Sequence, residues 1–194
     1  ILEVGKTLAV VPSWLSSKHI DRKIIIELDP GMAFGTGHHP TTRMCMEMLE
    51  TLVNPGDRVL DLGCGSGILS IASAKMGSKW VVGIDIDPTA VRVARENIGI
   101  NGITCGVSIL TGSIPDDDID KYSNDIIVAN ISSKVILDLA KEITLYLKPG
   151  GNLIVSGFLD INENEVIDKF KNYNLNVVSK LITVDWVALH FRQV

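Results

Sequence analysis

From about residue 57 onward, short apolar runs alternate with stretches of helical spacing. Residues 58–62, 80–86, 107–110, 125–129 and 152–157 read as strands, and residues 67–76, 88–101, 134–147 and 163–172 as helices between or after them. That alternation marks a mostly parallel sheet whose crossovers are helices. The end of the chain breaks the rhythm. Residues 175–184 and 186–192 are strand-like runs separated only by a turn at Asp185, too short for a crossover, so they should pair as an antiparallel hairpin. The expected fold is α/β: a doubly wound, mostly parallel seven-stranded sheet closed by a C-terminal antiparallel hairpin strand. Ligands of such open sheets bind at the carboxyl ends of the strands. The chemistry should therefore sit just after Leu62, Ile84, Leu110 and Ala129.

Upstream, residues 7–11 and 24–28 look like a small strand pair, and residues 40–53 like a helix with Pro40 in its first turn. Residues 1–54 thus read as a strand pair, a loop and a helix leading into a core at 55–194, the whole forming one domain. A chain of 194 residues can bury one full-sized core, and 46% hydrophobic with 21% charged residues is an ordinary globular balance. The apolar runs are too short to cross a bilayer and no signal segment opens the chain, so a cytoplasmic location is expected. The chain opens on Ile1 rather than Met, which leaves room for residues upstream. Cys45, Cys64 and Cys105 have no CxxC spacing, against a disulfide framework or a four-cysteine zinc site. With 18 basic and 23 acidic side chains the net charge is -5. This disfavours extensive nucleic-acid binding and suits a basic protein partner.

Residues 59–67, VLDLGCGSG, set Gly63, Gly65 and Gly67 between a buried strand and a helix, where backbone comes close to a ligand. A dinucleotide fingerprint would need its third glycine at position 68, which is Ile68. Asp61 stands just before the loop, where a carboxylate would repel a pyrophosphate but welcome a cation. S-adenosylmethionine, with a sulfonium, an ammonium and no phosphate, fits. Asp85, at the end of the next strand, is placed to accept both ribose hydroxyls. Asp87 before Pro88 reads as a helix cap. Gly112, Ser113 and Ile114 would border the adenine.

Asn130 ends the strand at 125–129, over the expected crevice. A neutral amide oxygen there can orient an amine N–H without holding the group as ammonium, as a carboxylate would. Deprotonating a lysine acceptor, whose ordinary pKa is about 10.4, costs about 4.6 kcal/mol at neutral pH, so desolvation and alignment should supply much of the rate. The bland alternative is that Asn130 caps a helix starting near Ser132.

Residues 29–42, DPGMAFGTGHHPTT, hold glycines, prolines, an aromatic ring and several hydroxyls at a helix start, which suits a lid over a small ligand. Thr42 could reach that ligand. His38 and His39 lack a third ligand at helical spacing, so no metal is expected. Cys64 reads as a small residue in a tight loop, and Met44 with Met48 as core. Asp116, Asp118 and Asp120 mimic the start of a calcium loop, but Lys121 occupies its glycine position and Ile127 its final glutamate position, so the run reads as a solvated loop.

Residues 28–37 with 39–42, then 61–69, 83–88 and 128–131, closely resemble the PrmA family. Its members are class I, Rossmann-like, S-adenosylmethionine-dependent methyltransferases that modify lysine and N-terminal amines of large-subunit ribosomal protein eleven. The glycine loop alone would say only class I methyltransferase; Phe34-Gly35-Thr36-Gly37 makes the match specific. The resemblance implies cofactor contacts at Thr42, Gly63, Asp85 and Asn130 and places Thr36 and Phe34 near the transferring methyl. Asp61, Gly65, Gly67 and Ser113 complete the expected cofactor site, and Asn130, Thr36 and Phe34 the catalytic set. Two departures stand out. The small recognition domain with which family members usually begin is not seen, which points to a catalytic fragment or to a relative with another target. Ser132 and Ser133 replace an expected apolar pair after Ile131. Competing readings are a methyltransferase for RNA or a small molecule, and a cofactor-binding domain without turnover.

Overall fold

A computed structural model describes residues 1–15, 20–29 and 37–193. A small sheet in the order β1-β2-β3 comes first: β1 (Leu2–Val4) pairs antiparallel with β2 (Leu8–Pro12), which pairs parallel with β3 (Ile24–Leu28). Helix α1 (Pro40–Leu52) follows, with His39 as its N-cap and Pro at its start, where a missing N–H does no harm. The main sheet then forms from β4 (Arg58–Leu62), β5 (Trp80–Asp85), β6 (Val107–Thr111), β7 (Asn124–Asn130), β8 (Leu147–Leu159), β9 (Leu175–Thr183) and β10 (Trp186–Gln193). Its connecting helices are α2 (Ile68–Lys75), α3 (Pro88–Ile100), α4 (Ser133–Asp138), α5 (Ala140–Tyr146) and α6 (Glu163–Lys171). Strand order is β6-β5-β4-β7-β8-β10-β9, and β10 alone runs antiparallel, wedged between β8 and β9. The chain winds outward from β4 to β6 and then crosses back to β7, so a crevice is expected where β4 and β7 end side by side.

β4 and β7 are buried on both faces because each face carries its own core. On one side Leu60, Leu62, Ile127 and Ala129 pack with Ile136, Ile143, Tyr146 and Phe170 from α4–α6. Phe170 and Phe191 tilt against each other at 5.2 Å. On the other side Val59, Ile126 and Val128 pack with Met44, Met48 and Leu49 of α1, and the same cluster takes in Leu8, Val10 and Ile26 of the small sheet. The sheet and the terminal hairpin are as the patterning predicts. The predicted helix 134–147 is two helices, interrupted at Leu139, and the strand expected at 152–157 begins earlier, at Leu147. No helix among the described residues is long and apolar enough to cross a membrane.

Candidate active site

A cavity of about 450 Å³ opens where β4, β5, β6 and β7 end, a size suited to one small ligand. Its wall takes residues from the glycine loop, from Asp85 and Ile86, from Gly112 and Ser113, and from Asn130 to Ser132. His39, Thr41, Gly157 and Trp186 also line it, together with Val135 and Leu139.

The glycine loop turns tightly because Gly63, Gly65 and Gly67 all have positive φ (76°, 53° and 80°). At Gly63 packing adds its own demand, since a Cβ there would lie 2.3 Å from Ile131 Cγ2. Four of the loop's amides are already committed. The N–H groups of Gly63 and Cys64 donate to the Ile84 carbonyl (2.8 and 3.1 Å), and that of Gly67 to the Cys64 carbonyl (2.8 Å). Gly65 N–H donates to Asp85 Oδ2 at 2.9 Å. A phosphate cradle needs such donors aimed at the ligand. Here these four point at protein acceptors, which suits close backbone approach better than an anion.

Asp85 is gripped from two sides, its Oδ1 accepting from Asp87 N–H at 3.0 Å while Oδ2 takes Gly65. Its carboxylate is thereby fixed on the cavity wall. Asp87 in turn accepts from Thr89 N–H at 2.8 Å, the cap role read from the sequence. Asp61 lies off the wall, only 1% exposed. Ser70 Oγ donates to its Oδ2 at 2.6 Å, whereas Oδ1 has no hydrogen-bond partner among the described residues. Burial pushes the Asp61 carboxyl up to about 7, with the bond from Ser70 opposing and the Asp85 charge assisting. Any pull it exerts on a ligand therefore acts through the field behind the loop and not by contact.

Asn130 is on the wall. Its Nδ2 donates to Thr42 Oγ1 at 3.1 Å, which joins the end of β7 to the first turn of α1 and leaves the amide oxygen as the acceptor end. Thr42 itself is buried behind Asn130, and Thr41 reaches the cavity instead. Ser132, not Asn130, is the N-cap residue of α4. Gly67 is the left-handed N-cap of α2 and lies off the wall, whereas Ser113 is on it. Phe34 and Thr36 lie outside the described residues.

His39, Gly157 and Trp186, to which the sequence assigns no ligand-facing role, all line the wall. His39 Nδ1 lies 2.7 Å from Thr41 Oγ1, and its ring meets Trp186 edge to face, with centroids 4.6 Å apart at 75°. Gly157, φ 96°, passes so close to Ile131 that a Cβ would sit 2.4 Å from the Ile131 carbonyl oxygen. A glycine near the end of a strand is the signal that could have found it. Trp186 could be found only by knowing that the last hairpin folds back beside β8. Among the described residues no cluster of three His, Cys, Asp or Glu side chains is placed to hold a metal. Cys45 and Cys64 are buried and Cys105 is exposed, all as free thiols, and burial pushes the first two well above the usual thiol range.

Comparison with known proteins gives one answer. The family model for ribosomal protein L11 methyltransferase (PrmA) matches residues 2–194. A ribosomal protein L11 methyltransferase of Chloroflexus aurantiacus is 42% identical over 215 residues, covering 100% of this chain and 66% of the relative. One from Listeria monocytogenes is 43% identical over 188 residues, covering 97% and 60%. The chain thus spans less than two thirds of the length of these relatives. The crystal structure of a ribosomal protein L11 methylase from Lactobacillus delbrueckii subsp. bulgaricus superposes with a TM-score of 0.90 at 32% identity, over 100% of this chain and 98% of that one. The shared fold, the near-complete match and the identity over the whole length agree: this chain belongs to the ribosomal protein L11 methyltransferase (PrmA) family.

Proposed function

We propose that this chain is the catalytic part of an S-adenosylmethionine-dependent N-methyltransferase whose acceptors are lysine or N-terminal amines of ribosomal protein L11. The observation that carries the reading is the pairing of Asn130 with Thr42, which presents a neutral amide oxygen to a cavity whose glycine loop turns the amides of Gly63, Cys64, Gly65 and Gly67 to protein acceptors. The donor set fits the cofactor: a fixed carboxylate at Asp85 for ribose hydroxyls, an apolar border at Ile86, and behind the loop the Asp61 carboxyl, whose ionisation a cationic ligand would favour. Phe34 and Thr36 are proposed to face the transferring methyl, and Ser113 to border the base. When bound, S-adenosylmethionine supplies a methyl on a sulfonium, the leaving pair staying on sulfur as the new N–C bond forms.

The protein's share is positional. Asn130 accepts an N–H of the neutral amine and so turns the lone pair away from itself and toward the methyl. Ile131, Val135, Leu139 and Trp186 keep water from the incoming amine, which favours its neutral form. No wall residue is needed as a strong base, since the proton is lost before attack, or from the methylated product to water. The family name points to the ribosomal protein, and a net charge of -5 suits a basic acceptor. A ribosomal substrate also places the reaction in the cytoplasm.

The test is tritiated methyl transfer from S-adenosylmethionine to purified ribosomal protein L11, with calorimetry of the cofactor alone. Binding with label on amines of the protein is expected. Failure to bind at millimolar ligand, or label on RNA instead, would overturn the reading.

A further inference from the structure

Beside the cavity, β9 and β10 are joined by only two residues, Val184 and Asp185. Such short hairpin connections need positive φ and usually use Asn, Asp or Gly. Here a β-branched Val184 adopts φ 57° and projects into solvent, 82% exposed. The backbone strain is not offset by any burial of the side chain. Its neighbour across the rim is the turn after β8, where Ile161 is 84% exposed. The two turns are tied by the Asp160 N–H, which donates to the Asp185 carbonyl at 2.8 Å. Asp160 and Asp185 are exposed as well, and the ion pairs among the described residues engage other carboxylates.

Scattered apolar residues on a surface are ordinary. A strained one, paired with a second and with two carboxylates, is not. The patch also continues into the cavity: Trp186, next in sequence, lines its wall and is the register partner of Leu159, which leads into the second turn. We propose that this ledge, Val184 and Ile161 flanked by Asp160 and Asp185, is a docking surface for the segment of the acceptor protein that carries the target amine, a segment with apolar and basic side chains next to that amine. The inference rests on the amine methyltransferase reading above. Charge selects the occupant. A basic segment meets two unpaired carboxylates, whereas a second copy of this acidic chain would set carboxylate against carboxylate.

Three changes test it with this whole chain: Val184→Asn, Ile161→Ser, and the pair Asp160→Asn with Asp185→Asn. Each is assayed for methyl transfer to purified ribosomal protein L11 and for cofactor affinity by calorimetry. The expected result is a KM for the protein raised about tenfold, with kcat and the cofactor Kd within about twofold. Val184→Asn separates docking from folding, because Asn tolerates left-handed backbone, so this variant should melt no lower than the parent and still dock worse. The paired Asp changes should also flatten the rise of KM with ionic strength. Unchanged KM and salt dependence in variants of an active parent would overturn the ledge. So would a dimer that the variants disperse in sedimentation, since a second copy would then occupy it. A parent that binds cofactor but leaves the ribosomal protein unlabelled would instead sink the acceptor assignment, and the ledge with it.

Discussion

Asn130 and Asp85 sit on the same cavity wall but should fail in different ways. Asn130→Ala removes the amide oxygen proposed to meet the amine and leaves the Asp85 grip on the glycine loop intact. Turnover should fall by about a hundredfold while cofactor Kd stays within about twofold, which single-turnover kinetics and calorimetry resolve. Asp85→Ala strips two backbone N–H groups of their acceptor and removes the proposed ribose contact, so cofactor Kd should rise at least about tenfold. Asp61 gives a pH signature. Its folded pKa is raised from 3.8 to about 7, so below about pH 4 the folded and unfolded chains both hold the proton. Between about pH 4 and 7 only the folded chain keeps it, and this contribution to stability is lost as pH rises, at no more than about 1.4 kcal/mol per pH unit. Denaturant unfolding of the ligand-free protein should show that slope, and Asp61→Asn should lack it. Equal slopes in the two proteins would show that Asp61 ionises normally.

At the scale of elements, the close pass of β8 over the segment after β7 holds the Ile131 side of the cavity in shape. Gly157 has both φ 96° and backbone of Ile131 where a Cβ would go, whereas Gly56 has φ 97° with nothing within 4 Å. Gly56→Ala should therefore cost only the backbone term, about 1–2 kcal/mol. Gly157→Ala should add overpacking, for about 2–5 kcal/mol in all, and shift Ile131 and Ser132. Urea midpoints of the two variants check the ordering. The elements themselves were largely legible. Apolar runs such as residues 126–129 need burial on both faces, Pro40 and Pro88 mark helix starts, and one turn residue between two runs forces a hairpin. The helix interruption at Leu139 was not legible, because residues 134–147 contain no glycine or proline and keep helical spacing through it. Nor was the early start of β8, where Pro149 and two glycines argue against a strand until β7 pairs Asn124 with Leu147. The side chains facing the cavity were legible where strands end and hidden where distant segments meet. The contact of His39 with Trp186 joins residues at opposite ends of the chain.

For the molecule as a whole, the small sheet and the main sheet share one core, with Leu8, Val10 and Ile26 in the same cluster as Ile126 and Val128. Removing residues 1–39 would bare that cluster. Such a truncation should bind a hydrophobic dye and lose its single cooperative unfolding step, as fluorescence and calorimetry would report. The order of the strands has a consequence in time. β10 is last in sequence but lies between β8 and β9, and it carries Trp186 into the cavity wall. A nascent chain that has emerged only as far as β9 has left vacant the slot between β8 and β9. Completion of the cavity wall must therefore await the emergence of residues 186–193, so on the proposed reading a chain of this topology gains its activity only once β10 has slotted into place.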